Sequence, residues 1–413
     1  MRAALRAALR GRGRVSPNPM VGAAIERSST QRAATPGRSS EAGAFALDRR
    51  ISPWLGAHLC FGGAHAEAGL LDRAGEACRD ATIHVTLEPC SHHGKTPPCA
   101  DRLIEAGVSK VVIATLDPNP RVRGRGVDRL RSAGIEVEVG PGAREAIALN
   151  LPYFTSHLSG RAWIELKEAV SLDGRVADAN GASRWITGEA ARRAVHRQRA
   201  TADALLVGAG TVMADDPELT VREAPGPTPT RIVIDSKLRI DSEARIWRAW
   251  KAEIGEGTAE QSPTGNFTRD SGGWYRRSPR LILATSPEAA NRTERYRAIG
   301  WEVWILPVQE GHLSLSALAE RAAQEGFHHL LVEAGPGLAQ GFLQAGLVDA
   351  LSLYMAPKIL GGSHGWTGLF RASLESAEPM ESVELRTLGA DICWKLRRAG
   401  IVEKLEQQLR EIG

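Results

Sequence analysis

The strongest constraint on this sequence is a set of metal-binding side chains split between two segments. The first reads His65-Ala66-Glu67. The second, after a strand-like stretch, reads Pro89-Cys90-Ser91-His92-His93-Gly94-Lys95-Thr96-Pro97-Pro98-Cys99. Whatever fold the chain adopts must bring both to one point. One His and two Cys supply three soft or borderline donors, leaving the fourth corner of a tetrahedral zinc ion for water, as in catalytic rather than structural sites. Glu67, two residues from His65, can face the ion without binding it. It is placed to take a proton from the water and pass it to a leaving amine. The bland alternative is a closed structural knot with an accidental Glu, its fourth ligand drawn from His84, His92 or His93.

His-x-Glu followed by Pro-Cys and a second Cys is the pattern of zinc-dependent nucleobase deaminases, whose two Cys usually stand close together. Here eight residues separate Cys90 from Cys99. The looser spacing is informative, because Thr86-Leu87-Glu88-Pro89-Cys90 and the run to Cys99 closely resemble the deaminase half of the bifunctional riboflavin-biosynthesis deaminase/reductase family. Ser16-Pro17-Asn18-Pro19-Met20-Val21-Gly22 and Asp117-Pro118-Asn119-Pro120 resemble further motifs of that family. One departure is Ala64, where the family usually carries Pro, which leaves the approach to His65 less rigid. The resemblance implies a cytidine-deaminase-like layered domain. It implies Zn²⁺ on His65, Cys90 and Cys99, Glu67 as the catalytic proton carrier, and Asn18 and His58 toward the pyrimidine.

At 413 residues the chain exceeds one ordinary core, so two or more domains are expected. No apolar run is long enough to span a bilayer, and a net charge of +4 without a basic and aromatic stripe favours a small-molecule substrate over nucleic acid. Five cysteines and no secretory signal imply a reducing compartment; Cys60, Cys78 and Cys393 read as buried small hydrophobes. Met1–Arg14 carries five Arg and no acid, which mimics an organellar transit peptide. We read it instead as an amphipathic first helix leading into Pro17-Asn18-Pro19, and expect a cytoplasmic protein.

Hydrophobic periodicity alternates strands and helices through both halves, as in layered α/β folds. A deaminase domain is expected over 1–150, interrupted at about 26–52 by a Ser-, Arg-, Ala- and Gly-rich stretch that reads as a surface insertion or disordered loop. Cys90 and Cys99 fall near the start of a helix at Cys99–Ala106, which favours thiolates. Leu151–Gly160 reads as a connector. A reductase domain is expected over 158–396, with an irregular excursion at about 241–278. Residues 397–413 read as a C-terminal helical extension, with Ile401, Leu405, Leu409 and Ile412 at helical spacing.

The second chemistry centres on a strand at His329–Val332 that runs into Glu333-Ala334-Gly335-Pro336-Gly337 and then a helix. Backbone N–H groups at such a turn can receive a dinucleotide's phosphates. A bare Gly-Pro-Gly is nonetheless a weak signal. Ser171-Leu172-Asp173-Gly174, Ser183-Arg184-Trp185-Ile186-Thr187, Asp215-Asp216-Pro217-Glu218-Leu219-Thr220 and Ala356-Pro357-Lys358-Ile359-Leu360-Gly361-Gly362 resemble, in this order, the reductase half of the same family. That half is similar in fold to dihydrofolate reductase and uses NADPH. The resemblance implies NADPH contacts from Ala169, Trp185, Thr211, Asp215 and Ser236, with Gly335, Pro336, Gly337, Leu338, Ala339, Gln340 and Gly341 on the phosphates. It implies substrate contacts from Ser183, Arg199, Leu219, Arg222 and Glu333. Arg199 and Arg222 suit a sugar phosphate as planar multi-donor groups. Glu333 can accept from ring or ribose donors, and Lys167 can steady a developing alkoxide. Asp173 is equally a turn former.

By resemblance, a diaminopyrimidinone carrying a phosphoribosylamino group is first deaminated hydrolytically, and the ribosyl group of the uracil product is then reduced by NADPH to ribityl. The expected partners are this small molecule and further copies of the chain in a homo-oligomer, with no nucleic acid and no membrane. Rival readings are a reductase-only variant with a damaged deaminase site, and a nucleoside or tRNA deaminase fused to an unrelated domain.

Overall fold

The computed structural model describes residues 1–26, 52, 54–92, 97–183, 185–255, 267–269, 275–368 and 374–412. The insertion expected at about 26–52 therefore lies outside the described residues, apart from its two ends. Contacts divide the chain into two compact units. Met1–Ser159, Arg269–Arg276 and Val402–Gly413 form the first; Gly160–Thr268 and Arg277–Ile401 form the second.

The first unit is built on a five-stranded sheet in the order Leu55–Ala57, Gly22–Glu26, Thr82–Val85, Lys110–Ile113, Glu136–Val139. The last three strands run parallel, and Gly22–Glu26 is antiparallel to both its neighbours. Helices Ala66–Ala74, Cys99–Glu105 and Arg125–Ser132 connect them. Leu70, Ile83, Leu103, Ile113 and Leu130 are fully buried at the helix–sheet interface, each worth about 1.5–3 kcal/mol of burial. The Arg-rich start is a packed helix, Arg2–Ala8, with Ala4, Ala7 and Ala8 buried. It lies so close to the sheet that a Cβ on Gly22 would stand 2.0 Å from the Ala4 carbonyl oxygen.

One expectation for this unit fails. The segment read as a connector is a helix, Leu151–Ser159, with Tyr153 and Phe154 buried. Pro152 sits at its second position, where the missing N–H has no helical partner to lose.

The second unit carries a nine-stranded sheet. Its order is Glu302–Ile305, Leu281–Thr285, Thr230–Ile234, Ala204–Gly208, His329–Val332, Trp163–Ser171, Ala350–Ala356, Asp391–Arg398, Met380–Leu388. The first seven are parallel, and the last two close as an antiparallel hairpin. That hairpin has no counterpart in the sequence reading, because its outer strand is exposed along most of its length and shows no core-facing stripe. The excursion expected at 241–278 is regular in part. Arg245–Ile254 is a helix that buries Ile246 and Trp250 in the core, and Trp250 Nε1–H donates to the Pro279 carbonyl at 2.9 Å. The tail forms helix Ile401–Ile412. Val402, Leu405 and Leu409 are buried, and Arg144 of the first unit pairs with Glu403 and Glu406.

Candidate active sites

In the first unit, the two expected metal segments meet. His65 is the N-cap of helix Ala66–Ala74, with Glu67 in its first turn, and Cys99 opens the helix that follows Pro98. The ligand atoms of His65, Cys90 and Cys99 all lie within 4.8 Å of one another. His65 Nδ1 stands 3.6 Å from Cys90 Sγ and 3.3 Å from Cys99 Sγ. Metal–donor distances of about 2.0–2.3 Å at tetrahedral angles give edges of about 3.5 Å, so the trio fits zinc in both donor type and spacing. The Cys99 backbone N–H donates to Cys90 Sγ at 3.3 Å. The Cys99 thiol, His65 and this N–H pull the Cys90 thiol down, toward a thiolate.

Glu67 stays outside the trio but beside it, with the Cys99 thiol as a hydrogen-bonding neighbour. It is 3 % exposed. Burial pushes its carboxyl up to about 7, against the pull of His65. A carboxyl poised near neutrality can both accept and release a proton. Among the described residues no fourth side chain joins the metal group. His84 is taken by Glu26 at 2.7 Å, and His92 lines the same cavity as His65 and Cys90 without joining their group; His93 lies outside the described residues.

That cavity, about 320 Å³, is lined by Asn18, His58, Glu67, Asp117, Asn119 and Tyr153 among others. His58 Nδ1 meets the Ala64 carbonyl at 3.0 Å, which leaves Nε2 to accept from Asn18 Nδ2 at 3.1 Å. Burial lowers His58 to about 4 and keeps it neutral in this role. Hence Ala64 supplies the tautomer-setting carbonyl. Asn18 presents its remaining amide oxygen as the group able to meet a ligand.

Sequence reasoning missed part of this wall. Asp117 accepts from Tyr153 Oη–H at 2.9 Å and from the Asn119 N–H at 2.8 Å, and burial pushes it up to about 7. The motif Asp117-Pro118-Asn119-Pro120 flagged two of the three. Tyr153 lay in the supposed connector, where nothing marked it. Beneath them, the buried Glu88 carboxylate gathers the N–H groups of Asp117, Gly124, Gly126 and Val127 at 3.2, 3.0, 2.9 and 3.3 Å.

In the second unit, Glu333 directly follows strand His329–Val332, beside the adjacent strand's Lys167. It takes a two-pronged bond from Arg199 Nε and Nη2 at 2.6 and 2.9 Å, and Lys167 Nζ stands 3.5 Å away. Burial alone would push Glu333 up; Arg199 and then Lys167 hold it well below the usual carboxylate range. Arg199 Nη1 also donates to the Thr220 carbonyl at 3.1 Å, so its fork is engaged in organising Glu333. Arg222 is the expected phosphate-binding Arg whose side chain is exposed, with contacts at 3.3 Å to Thr220 Oγ1 and 3.8 Å to Glu218. The Leu219 side chain is buried in the core, and its backbone stands at φ 54°. Any contact to substrate from this residue falls to main-chain atoms.

Gly335 caps helix Pro336–Gln344. A Cβ on Gly337 would meet nothing within 4 Å, and one on Gly335 would come within 3.8 Å of Thr211 Oγ1. An open turn with a hydroxyl alongside suits a phosphate, so these residues fit the NADPH expectation. Ala169 lies on strand Trp163–Ser171, Asp215 ends helix Ala209–Asp215, and Ser236 follows strand Thr230–Ile234. Ser183 and Trp185 are exposed on the loop before helix Glu189–Arg199.

Comparison with known proteins yields matches over both halves. Residues 1–115 match the cytidine and deoxycytidylate deaminase zinc-binding region, and residues 162–394 match the RibD C-terminal domain. The riboflavin biosynthesis protein RibD of Escherichia coli (strain K12) is 38% identical over 413 residues, covering 96% of this chain and 98% of that one. Its counterpart in Aquifex aeolicus is 35% identical over 393 residues, with 95% and 96% covered. Among solved structures, Acinetobacter baumannii RibD superposes with a TM-score of 0.75 at 31% identity, covering 96% of this chain and 97% of that one. A diaminohydroxyphosphoribosylaminopyrimidine deaminase/5-amino-6-(5-phosphoribosylamino)uracil reductase from Thermotoga maritima gives 0.72 at 30%, with 97% of each chain covered.

Proposed function

The chain belongs to the RibD family of bifunctional riboflavin-biosynthesis enzymes, and from that premise we propose which of its residues perform the two reactions. It is a zinc-dependent deaminase and an NADPH-dependent reductase acting on a small molecule. We assign as substrates the diaminopyrimidinone bearing a phosphoribosylamino group and, after loss of ammonia, the corresponding uracil.

His65, Cys90 and Cys99 would hold the zinc, which would supply Lewis-acid activation of a water molecule. The Glu67 carboxylate accepts a proton and delivers it to the amine as it departs. Asn18, oriented by neutral His58, meets the pyrimidine edge. In the reductase half NADPH supplies the hydride. Lys167 steadies the ribose oxygen on which negative charge develops, and ionised Glu333, fixed by Arg199, accepts from the substrate's donors. Arg222 offers its guanidinium to the phosphate. The turn at Gly335–Gly337 with Thr211 receives the cofactor phosphates, Ala339 being buried in the core with its N–H on the Gly335 carbonyl, while Ala169, Trp185, Asp215 and Ser236 complete its cleft and Ser183 and the Leu219 backbone that of the substrate.

The observation that carries the deaminase reading is a three-ligand group with a buried carboxylate beside it and off it. Glu67→Gln is expected to keep one zinc per chain and to lower ammonia release by about 10²–10⁴-fold. NADPH oxidation with the deaminated substrate should be unchanged. Ammonia release at the wild-type rate in that variant would remove Glu67 from its role. A zinc-loaded wild-type chain that oxidises NADPH but releases no ammonia would establish the reductase-only reading instead.

We also expect a homo-oligomer in the cytoplasm. Support comes from the absence of any disulfide among the described cysteines and from the outer hairpin of the large sheet, where Val383, Leu385 and Trp394 are exposed. Among the described residues no helix is long and apolar enough to cross a membrane.

A further inference from the structure

Ser171-Leu172-Asp173-Gly174 and Ala356–Gly362 are conspicuous in the sequence, yet the chemistry above gives neither motif a task. In the structure they are stitched together. Leu172 N–H donates to the Lys358 carbonyl at 2.8 Å, Val176 N–H to the His364 carbonyl at 2.9 Å, and Trp366 N–H to the Gly174 carbonyl at 3.3 Å. The Asp173 carboxylate accepts the N–H groups of Leu360 and Gly361 at 3.1 and 2.8 Å and the Ser171 hydroxyl at 2.6 Å. Gly174 and Gly361, at φ 74° and 67°, make the reversals that bring these groups round.

The same loop reaches a third segment. Lys358 Nζ donates to the carbonyls of Trp185 and Ile186 at 3.1 and 2.8 Å. One carboxylate and one ammonium thus join the turn at 171–176, the loop at 356–366 and the backbone at 185–186. Trp185 is 61% exposed, and the Arg192 guanidinium stands 4.5 Å from its ring centroid. An indole so exposed is not placed by core packing, and its position depends on how its backbone is tied.

We propose that Asp173 and Lys358 are positioning residues of the reductase, a clasp that holds the Trp185–Ile186 backbone so that the exposed indole is presented to NADPH. This rests on the reading of Trp185 as a cofactor contact. Neither clasp residue touches the reacting atoms; both act through the main chain of the loop they hold. Charge-assisted bonds to carbonyls and amides suit this task, because they are directional and strong for their size.

The test uses the full-length zinc-loaded chain, with NADPH titrated by calorimetry and its oxidation followed with the deaminated substrate. Lys358→Met keeps the aliphatic stem and removes the ammonium. It should raise the Kd and KM for NADPH about tenfold, while kcat at saturating NADPH changes far less. Lys358→Arg, which restores a cationic donor, should recover most of the affinity. In a Trp185→Ala background, Lys358→Met should add less than about a twofold loss, because the group it positions is gone. Equal losses in both backgrounds, or an unchanged Kd for Lys358→Met alone, would overturn the clasp. If Trp185→Ala by itself leaves the Kd unchanged, the cofactor-contact reading of Trp185 fails, and the clasp with it.

Discussion

Two buried carboxyls show how neighbours decide what a residue does. Glu67 and Glu168 are both under 6 % exposed, and burial raises both. Glu67 borders a cavity and a metal trio. Glu168 lies within the large sheet, raised to about 8 by burial and further by Glu333, against the pull of Lys167, with Oε1 lacking any hydrogen-bond partner. A carboxyl whose folded value lies above its unfolded one weakens the fold as pH rises. The loss begins near the unfolded value of about 4.5 and grows until pH passes about 8, where the native state ionises too. Glu168→Gln should therefore melt like the wild type at pH 4 and be more stable by about 1–3 kcal/mol at pH 8. Melting curves across that range check it, and equal shifts at both pH values would refute the assignment. At this scale the meeting of His65, Cys90 and Cys99 with Glu67 beside them was legible, because donor type and order suffice to single them out. The engagement of Arg199 with Glu333 was not, because a guanidinium reads alike whether it faces a phosphate or a carboxylate.

Elements matter through the approaches they allow. The loop that roofs the deaminase cavity is held by Glu88, whose carboxylate sits among four backbone N–H groups. Gly126 makes that possible: a Cβ there would stand 2.0 Å from the Pro89 carbonyl and 3.1 Å from the Glu88 side chain. Gly126→Ala must push apart the segment that carries Cys90. We expect a loss of about 3 kcal/mol or more, the scale of core overpacking, and ammonia release lowered at least in proportion to lost zinc. NADPH oxidation should persist. Full zinc content and unaltered deamination in that variant would show that the loop tolerates the shift. Strongly periodic elements such as His329–Val332 were readable from sequence. Helix Leu151–Ser159 was not, since Pro152 near its start reads as a breaker unless the helix boundary is already known. Nor was the hairpin Met380–Leu388/Asp391–Arg398, whose exposed outer strand lacks an apolar stripe.

At the scale of the molecule, the first unit takes in Met1–Ser159, Arg269–Arg276 and the tail from Val402 onward. Leu405 is 1 % exposed and Val402 and Leu409 are buried, so the tail helix contributes to the unit that contains the deaminase cavity. Leu405→Ala should cost about 2–5 kcal/mol and shorten the half-life of ammonia release on heating, with the half-life of NADPH oxidation affected less. Equal sensitivity of the two activities would argue that the helix stabilises both units alike. The amino-acid order by itself determined the two chemistries, the side chains of the candidate metal group, the carboxyl beside it and the alternation of strands and helices, because these reside in residue type and local spacing. Only the tertiary structure decided that the tail returns to the first unit, that Tyr153 joins the cavity wall, and that Lys358 reaches the Trp185 backbone. Those contacts join residues far apart in the chain, and their energies depend on distances that no local pattern encodes.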